Sequence, residues 1–322
     1  QNREIRVIDA ISESIESSMK NHPNLVLMGQ DIAEYGGAFK ITEGFVEKFG
    51  KKRVRNTPLC EAAIVGSGLG LSINGYKSMV EMQFADFVTE GFNQIINNLA
   101  KTHYRWNQNA DVVVRMPTGA GTGAGPFHSQ SNEAWFTKTP GLKIAYPAFP
   151  DDAKGLLIQS FEDPNPVLFF EHKKLYRSLK GNVPEGFYTT PFGKARKVKE
   201  GNELTIITYG LGVHIALEFA EKNPEISLEI VDLRTLIPLD TETIYESVKK
   251  CNKVIILHED TLTCGFGAEL SALISEHCFE DLDAPILRVA SMDTPIPFNK
   301  KLEDQFMPNE ELAEAVEKIL KY

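Results

Sequence analysis

Uninterrupted apolar runs of strand length, alternating with helical patterns twice over, constrain this chain more than any other feature. Val7 to Lys20 sets Ile8, Ile11, Ile15 and Met19 on one face of a helix, and the apolar run Leu25 to Met28 follows it. The pattern continues with strands predicted at Met79 to Phe84, Val112 to Met116, Ile144 to Tyr146 and Val167 to Phe170, and helices over 58–73, 88–104 and 151–162. Strands that are apolar at every position need cover on both faces, which predicts a mostly parallel sheet between helical layers. Text rich in Gly, Pro and Thr between Gly181 and Gly193 marks a crossing. A second series follows, with strands at Leu204 to Tyr209, Leu228 to Leu233, Val254 to His258 and Ile286 to Val289, and helices over 213–222, 241–250, 266–279 and 310–320. The reading is two α/β domains, 1–186 and 187–322.

Charge and cysteine content narrow the class. The net charge of −10 argues against nucleic acid, and it is uneven: residues 1–186 hold 20 acidic and 20 basic side chains, residues 187–322 hold 24 and 14. An acidic second half either steers a basic partner or serves solubility. No stretch approaches the roughly 20 apolar residues of a membrane span, and the N-terminus has no signal-peptide core. Cys60, Cys251, Cys264 and Cys278 form no Cys-x-x-Cys pair, so neither a zinc site nor a disulfide framework is expected, and a reducing compartment fits.

Several segments carry candidate chemistry. Asn56 to Ala63 reads as a helix start with Thr57 as cap and Pro58 at the first helical position, which puts Glu61 in the first turn. An acid there complements the helix dipole. The alternative is a working carboxylate, since Gly66, Ser67, Gly68 and Gly70 strip the helix of bulk and suit close approach by a backbone or a flat ligand. Gly66-Ser67-Gly68 followed by Asn97-Asn98 superficially matches a magnesium-diphosphate motif, but Ser67 stands where the metal-binding Asp belongs, so the Asn pair is read as a polar helix face. The glycine-rich run from Pro117 to Pro126 lacks the Lys-Ser/Thr of a phosphate loop and leads to His128, which is either structural or the residue the loop presents. Glu81 to Phe87 leaves a strand end with aromatics that are core or the floor of a pocket for a planar ring. Ser160 to Pro166 is a helix exit whose carbonyls and Asp163 could bind a monovalent cation.

Five ordered segments make the chain familiar: Thr57-Pro58-Leu59-Cys60-Glu61, Gln83-Phe84-Ala85-Asp86, Phe127-His128-Ser129-Gln130-Ser131, Asp152-Ala153-Lys154-Gly155-Leu156-Leu157 and Val231-Asp232-Leu233-Arg234-Thr235-Leu236-Ile237-Pro238. Together they resemble the beta subunit of thiamine-diphosphate-dependent 2-oxo acid dehydrogenases, over nearly the whole chain. The resemblance implies a pyrimidine-binding α/β domain followed by a domain of the transketolase carboxy-terminal type. It implies that Glu61 hydrogen-bonds the aminopyrimidine of thiamine diphosphate, with Gln30, Leu59, Cys60, Gln83 and Phe87 also at the cofactor, which acts as electron sink for decarboxylation. His128 would assist acyl transfer to a lipoyl arm at the substrate end, among Phe84, Phe127, Ser129 and Gln130. Val112, Ser160, Phe161, Asp163 and Asn165 fall on a potassium site, mostly through backbone carbonyls. Gln30 departs from the Gly-Glu-Asp or Gly-Glu-Glu of many relatives, which removes a link from any proton path between active sites.

The same resemblance implies partners. An alpha subunit, separate or fused upstream, would supply the magnesium and diphosphate contacts in an assembly of two alpha and two beta chains, and the acidic second domain would dock on a lipoyl acyltransferase core. The Gln83 to Asp86 and Lys173 to Arg177 wording favours a branched-chain substrate, 3-methyl-2-oxobutanoate, over pyruvate. The bacterial cytoplasm, or the mitochondrial matrix of a eukaryote, is the expected compartment. A non-catalytic assembly subunit is the rival from another class; a nucleotide-dependent oxidoreductase is disfavoured because neither glycine cluster has dinucleotide spacing.

Overall fold

The computed structural model describes residues 2–322. Fourteen strands form among them: β1 (Asn2–Arg6), β2 (Leu25–Gly29), β3 (Val54–Asn56), β4 (Lys77–Glu81), β5 (Val112–Thr118), β6 (Lys143–Ala145), β7 (Val167–His172), β8 (Lys180–Pro184), β9 (Arg196–Lys199), β10 (Leu204–Thr208), β11 (Leu228–Asp232), β12 (Thr235–Ile237), β13 (Val254–Thr261) and β14 (Leu287–Ser291). Seven lie in the order β12-β6-β7-β5-β4-β2-β3 and five in the order β14-β13-β10-β11-β9. The first sheet is parallel except at its β12 edge, the second except at its β9 edge. Every residue of β2, β5, β7, β10 and β11 is buried, which is the two-sided cover their unbroken apolar text requires. The Val7–Asn21 helix buries Ile8, Ile11, Ile15 and Met19 and packs on the Pro150–Glu162 helix.

Four expectations change. The helix read from residue 58 begins at Glu61, with Cys60 at the cap position and no side-chain cap. Thr57 instead extends the β2 edge, its N–H bonding to the Gly29 carbonyl at 2.9 Å. The span read as one helix over 88–104 is a 3₁₀ segment (Ala85–Gly91), a π turn (Gln94–Leu99) and an α-helix (Ala100–Trp106). A Cβ on Gly91 would lie 3.2 Å from Val65 and 3.5 Å from the Glu61 carbonyl, so this segment is seated against the Glu61 helix. β1 and β8 pair antiparallel outside both sheets, a polar pairing with no apolar signal. Finally β12 leaves the second series to pair with β6, so the two halves interlock through a strand that lies beyond the expected crossing at 181–193. Asp152 secures that return, accepting from Arg234 Nη2 at 2.9 Å and from Arg196 Nη1 at 3.0 Å.

Charge is also buried in the middle of the first sheet. Arg115 on β5, without solvent exposure, donates from Nε and Nη2 to Glu171 on β7 at 2.6 Å each, and from Nη1 to Glu81 on β4 at 2.7 Å. Tyr176 adds a hydrogen bond to Glu171 at 2.5 Å. At the seam between the halves, Glu133 accepts from the Tyr209 hydroxyl at 2.8 Å while its second oxygen is buried without a partner. Burial, with Asp260 nearby, pushes the Glu133 carboxyl up to about 8.

These buried charges set measurable stabilities. Arg115→Met strands two carboxylates and should cost about 3–5 kcal/mol, read as a lower urea midpoint; an unchanged midpoint would mean that the cluster does not hold the sheet. Glu133 keeps its proton in the folded chain to about 8 but loses it near 4.5 when unfolded, so folding stability is highest below that range and is lost as pH rises through it. Glu133→Gln should remove this penalty, so its melting temperature should gain on the parent as pH is raised from about 5 to about 8; a constant difference between the two proteins would refute it.

Candidate active site

Three strands of the first sheet release their carboxyl ends into one region, the place where open α/β sheets bind ligands. β2 ends at Gly29 and leads to Gln30; β4 ends at Glu81 and leads through a bend to Gln83, Phe84 and Phe87; β5 runs into the glycine loop and His128. Glu61 joins them as the first residue of its helix. Gly68 lets that helix lie directly on the sheet, since a Cβ there would meet Ser78 and Val80 at 3.1 Å. Glu61 is buried, and Gln30, also buried, donates from Nε2 to Glu61 Oε1 at 3.2 Å.

A half-open cleft of about 440 Å³ lies in front of this pair, lined by Leu59, Cys60, Glu61, Ala62, Phe87, Thr89 and Glu90. Leu59 projects from the wall 79% exposed, an apolar side chain in water that a ligand or a partner would cover. Gln83 is half-buried in the bend after β4 and lies outside the lining. His128 stands edge-on to Phe84 at 4.8 Å and to Phe87 at 5.5 Å between ring centroids. The expected cofactor residue Phe87 and the expected substrate residues Phe84 and His128 therefore form one aromatic group.

Phe84 faces a second cleft, of about 480 Å³, with Phe39, Lys173, Lys174, Tyr176 and the loop residues Thr122 and Ala124. Of the remaining expected substrate residues, Phe127 is 69% exposed and Ser129 is buried with its hydroxyl unpaired. Gln130 has a structural job: its backbone N–H and its Nε2 both bond to Asp86 Oδ1, at 3.0 and 2.9 Å, which ties the His128 segment to the end of β4. Asn97 and Asn98 bond one turn back, to Asn93 and Gln94, each at 2.7 Å, as a polar helix face does.

The residues expected around a potassium ion do gather where the Pro150–Glu162 helix ends beside the start of β5; the Ala110 N–H bonds to the Pro164 carbonyl at 3.1 Å. Their side chains are engaged within the protein, which leaves backbone carbonyls as the groups such an ion would use. Asp163 accepts from the backbone and side chain of Asn165, at 2.9 and 3.1 Å, and its other oxygen is in contact with the Lys143 ammonium, a cation the chain supplies itself. Ser160 spends its hydroxyl on the Leu156 carbonyl at 2.7 Å, and Val112 and Phe161 offer only backbone. Among the described residues, no group of three or more His, Cys, Asp and Glu is placed to hold a metal.

Sequence reasoning missed the charged residues that frame the loop. Lys173 is buried, lies 5.7 Å over the Phe84 ring and donates to the Gly119 carbonyl at 2.6 Å. Burial lowers its pKa to about 8 against the pull of Asp86 and Glu259. His172 is in contact with Glu259 from the second half; its Nδ1 accepts from the Lys174 N–H, which puts the ring proton on Nε2, facing the carboxylate. Burial would raise the Glu259 carboxyl, but His172 and the Ala120 N–H outweigh it and hold it below its usual range. Spacing along the chain carries no sign of such pairs, because each partner lies in a distant strand or helix.

Comparison with known proteins agrees with this architecture. Residues 3–178 match the transketolase pyrimidine binding domain family and residues 193–312 the transketolase C-terminal domain family. A solved structure titled split gene transketolase, inactive beta4 tetramer, superposes with a TM-score of 0.78 over 98% of both chains at 22% identity, which speaks to the fold alone. The 2-oxoisovalerate dehydrogenase subunit beta of Bacillus subtilis (strain 168) is 47% identical over 96% of each chain. The pyruvate dehydrogenase E1 component subunit beta of the same organism is 40% identical over 99% of each. With both domain families matched in order and full-length relatives at this level of identity, the chain belongs to the beta-subunit family of thiamine-diphosphate-dependent 2-oxo acid dehydrogenases.

Proposed function

We propose that this beta subunit acts in oxidative decarboxylation of a branched-chain 2-oxo acid, 3-methyl-2-oxobutanoate, and in transfer of the acyl group to lipoyl groups of an acyltransferase core. The observation that carries the reading is buried Glu61, held by Gln30, lining a cleft with Phe87, the ring to which His128 also stands edge-on. A buried carboxylate, an aromatic face and an exposed Leu59 suit a flat, partly polar heterocycle, and the aminopyrimidine half of thiamine diphosphate is the group proposed there. When bound, that cofactor supplies the electron sink for loss of carbon dioxide. Glu61, held at Oε1 by the Gln30 amide, would hydrogen-bond the ring nitrogen; Phe87, Leu59 and Cys60 would exclude water. Phe84 and Phe87 would orient His128 so that its ring gives a proton to, or hydrogen-bonds, the acyl oxygen during transfer.

Magnesium and diphosphate contacts are assigned to an alpha chain, separate or fused upstream. Ser67 supports this, lying exposed on its helix where a metal-binding Asp would be needed. A potassium ion held mostly by the backbone carbonyls of Val112, Ser160, Phe161, Asp163 and Asn165 stays part of this reading, with Lys143 paired to the Asp163 side chain beside it. Exposed acids of the second half, Glu269, Glu276, Glu310, Glu314 and Glu317, would meet a basic docking segment of the core. The bacterial cytoplasm is the proposed compartment, or the mitochondrial matrix in a eukaryote, where two relatives are named as mitochondrial. Pyruvate is the second substrate reading, supported by the 40% identical pyruvate dehydrogenase subunit.

Carbon dioxide release is to be measured for the chain alone and with its alpha chain, given thiamine diphosphate, magnesium and either acid. Activity is expected only in the pair and faster on 3-methyl-2-oxobutanoate; preference for pyruvate would move the enzyme to the sister class. Glu61→Gln should lower the rate by ~10²–10⁴-fold, and an unimpaired rate would favour the assembly-only reading. Replacing the five exposed glutamates by Gln should weaken binding to the core and flatten its salt dependence; unchanged affinity would remove the docking proposal.

A further inference from the structure

The glycine run is more than a flexible turn. Gly119, Gly121, Gly123 and Gly125 adopt φ of 96°, 90°, 71° and 75°, left-handed at every second residue. Alternation of this kind turns successive N–H groups toward one point and makes a cradle for an anion. The cradle is filled from within the protein. Glu303, 1% exposed on the Lys300–Phe306 helix of the second half, accepts from the Gly121 N–H at 2.7 Å and from the Gly123 N–H at 3.0 and 3.2 Å. Glu259, also from the second half, takes the Ala120 N–H at 2.5 Å, and Lys173 holds the Gly119 carbonyl. At the far end the Phe298 ring lies so close to Gly125 that a Cβ there would come within 2.2 Å of it, and the Gly125 carbonyl accepts from the His128 N–H at 3.4 Å.

We propose that Glu303 is a positioning residue for His128: its carboxylate, reaching across from the second half of the chain, fills the anion cradle of the glycine loop and fixes the segment that carries the histidine. The inference rests on the reading of His128 in acyl transfer. Ala120 packs in the core, but the glycines on either side of it have no side chains to pack, so their conformation depends on what their backbone bonds to. The carboxylate is the acceptor that suits two converging N–H groups, and the bonds are of the stronger, charge-assisted kind.

The test uses the enzyme assembled with its alpha chain, comparing Glu303→Ala, Glu303→Gln and His128→Ala. Each is read by amide hydrogen exchange over residues 119–131, by decarboxylation with an artificial electron acceptor, and by acyl transfer to a lipoyl-bearing acceptor. Glu303→Ala should speed exchange at Gly121 and Gly123 and lower kcat for acyl transfer by at least ~10-fold, with decarboxylation and KM for the 2-oxo acid changed less than about twofold. Glu303→Gln keeps an acceptor oxygen and should recover part of both losses, which a general folding defect would not do. Gly123→Ala, at φ 71° with open space around its Cβ, should reproduce the loss without touching the second half. Unchanged exchange in both Glu303 variants overturns the proposal, as does intact acyl transfer in Glu303→Ala when His128→Ala has lost it. If His128→Ala itself transfers acyl groups at the parent rate, the reading of His128 fails and this role falls with it.

Discussion

A guanidinium without water around it fixes the centre of the larger sheet. Arg115 meets two carboxylates, one on each neighbouring strand, and each bond is short and nearly or wholly buried. A buried charge of this kind is costly unless its partners stay in place, so the register of β4, β5 and β7 is coupled to an ionic contact that a slip would break. Two of those strands launch the site, β4 into Phe84 and Phe87 and β5 into the glycine loop and His128, and β7 leads to the flanking His172 and Lys173. Burial raises the Glu81 carboxyl, while Glu171 and Glu81 outweigh burial at Arg115 and raise the guanidinium. The cluster is thus a spacer set a few residues behind the chemistry, holding three strand ends at fixed offsets.

What the sequence disclosed follows from the range of the interactions involved. Unbroken apolar runs located the strands β2, β5, β7, β10, β11 and β13 to within a few residues, because burial on both faces is written into each strand's own text. Thr57 as a cap failed since its N–H is drawn to Gly29 by the sheet edge, a contact no local pattern announces. The broken winding across 85–106 was likewise not announced locally; Gly91 there packs against Val65 of the neighbouring helix. β12 was hidden because its partner β6 lies about ninety residues earlier.

The site divides along the same line. Glu61, Phe87 and His128 were legible as residue types in unusual local settings, an acid on a helix without bulk, an aromatic at a strand end, a histidine after glycines, and the fold brings them together with Gln30 and Phe84. Gln130 was read as a site residue, and its backbone N–H and side-chain amide both bond to Asp86, a tie the sequence did not signal. Asp163 was read among free carbonyls at a helix exit, and its side-chain partner Lys143, twenty residues back, had no local signal. Lys173, Glu259 and Glu303 gave no signal, since a charged residue in text of average polarity is ordinarily a solvated one.

The chemistry of the loop explains why its restraints are ionic. An apolar loop could be held by packing, and its position would then tolerate small shifts, because dispersion contacts are many and individually weak. Ala120 packs in the core, but the alternating glycines beside it offer only N–H and C=O groups, and ordering them carries the largest conformational entropy cost of any residue type. Directional bonds to buried acceptors and donors help to offset that cost. Glu259, Glu303 and Lys173 provide them from two parts of the chain, with His172 in turn facing Glu259. The second half is therefore more than a docking surface: its carboxylates complete a hydrogen-bond set that the first half leaves open, and the loop bearing His128 has a defined shape only where the two halves meet.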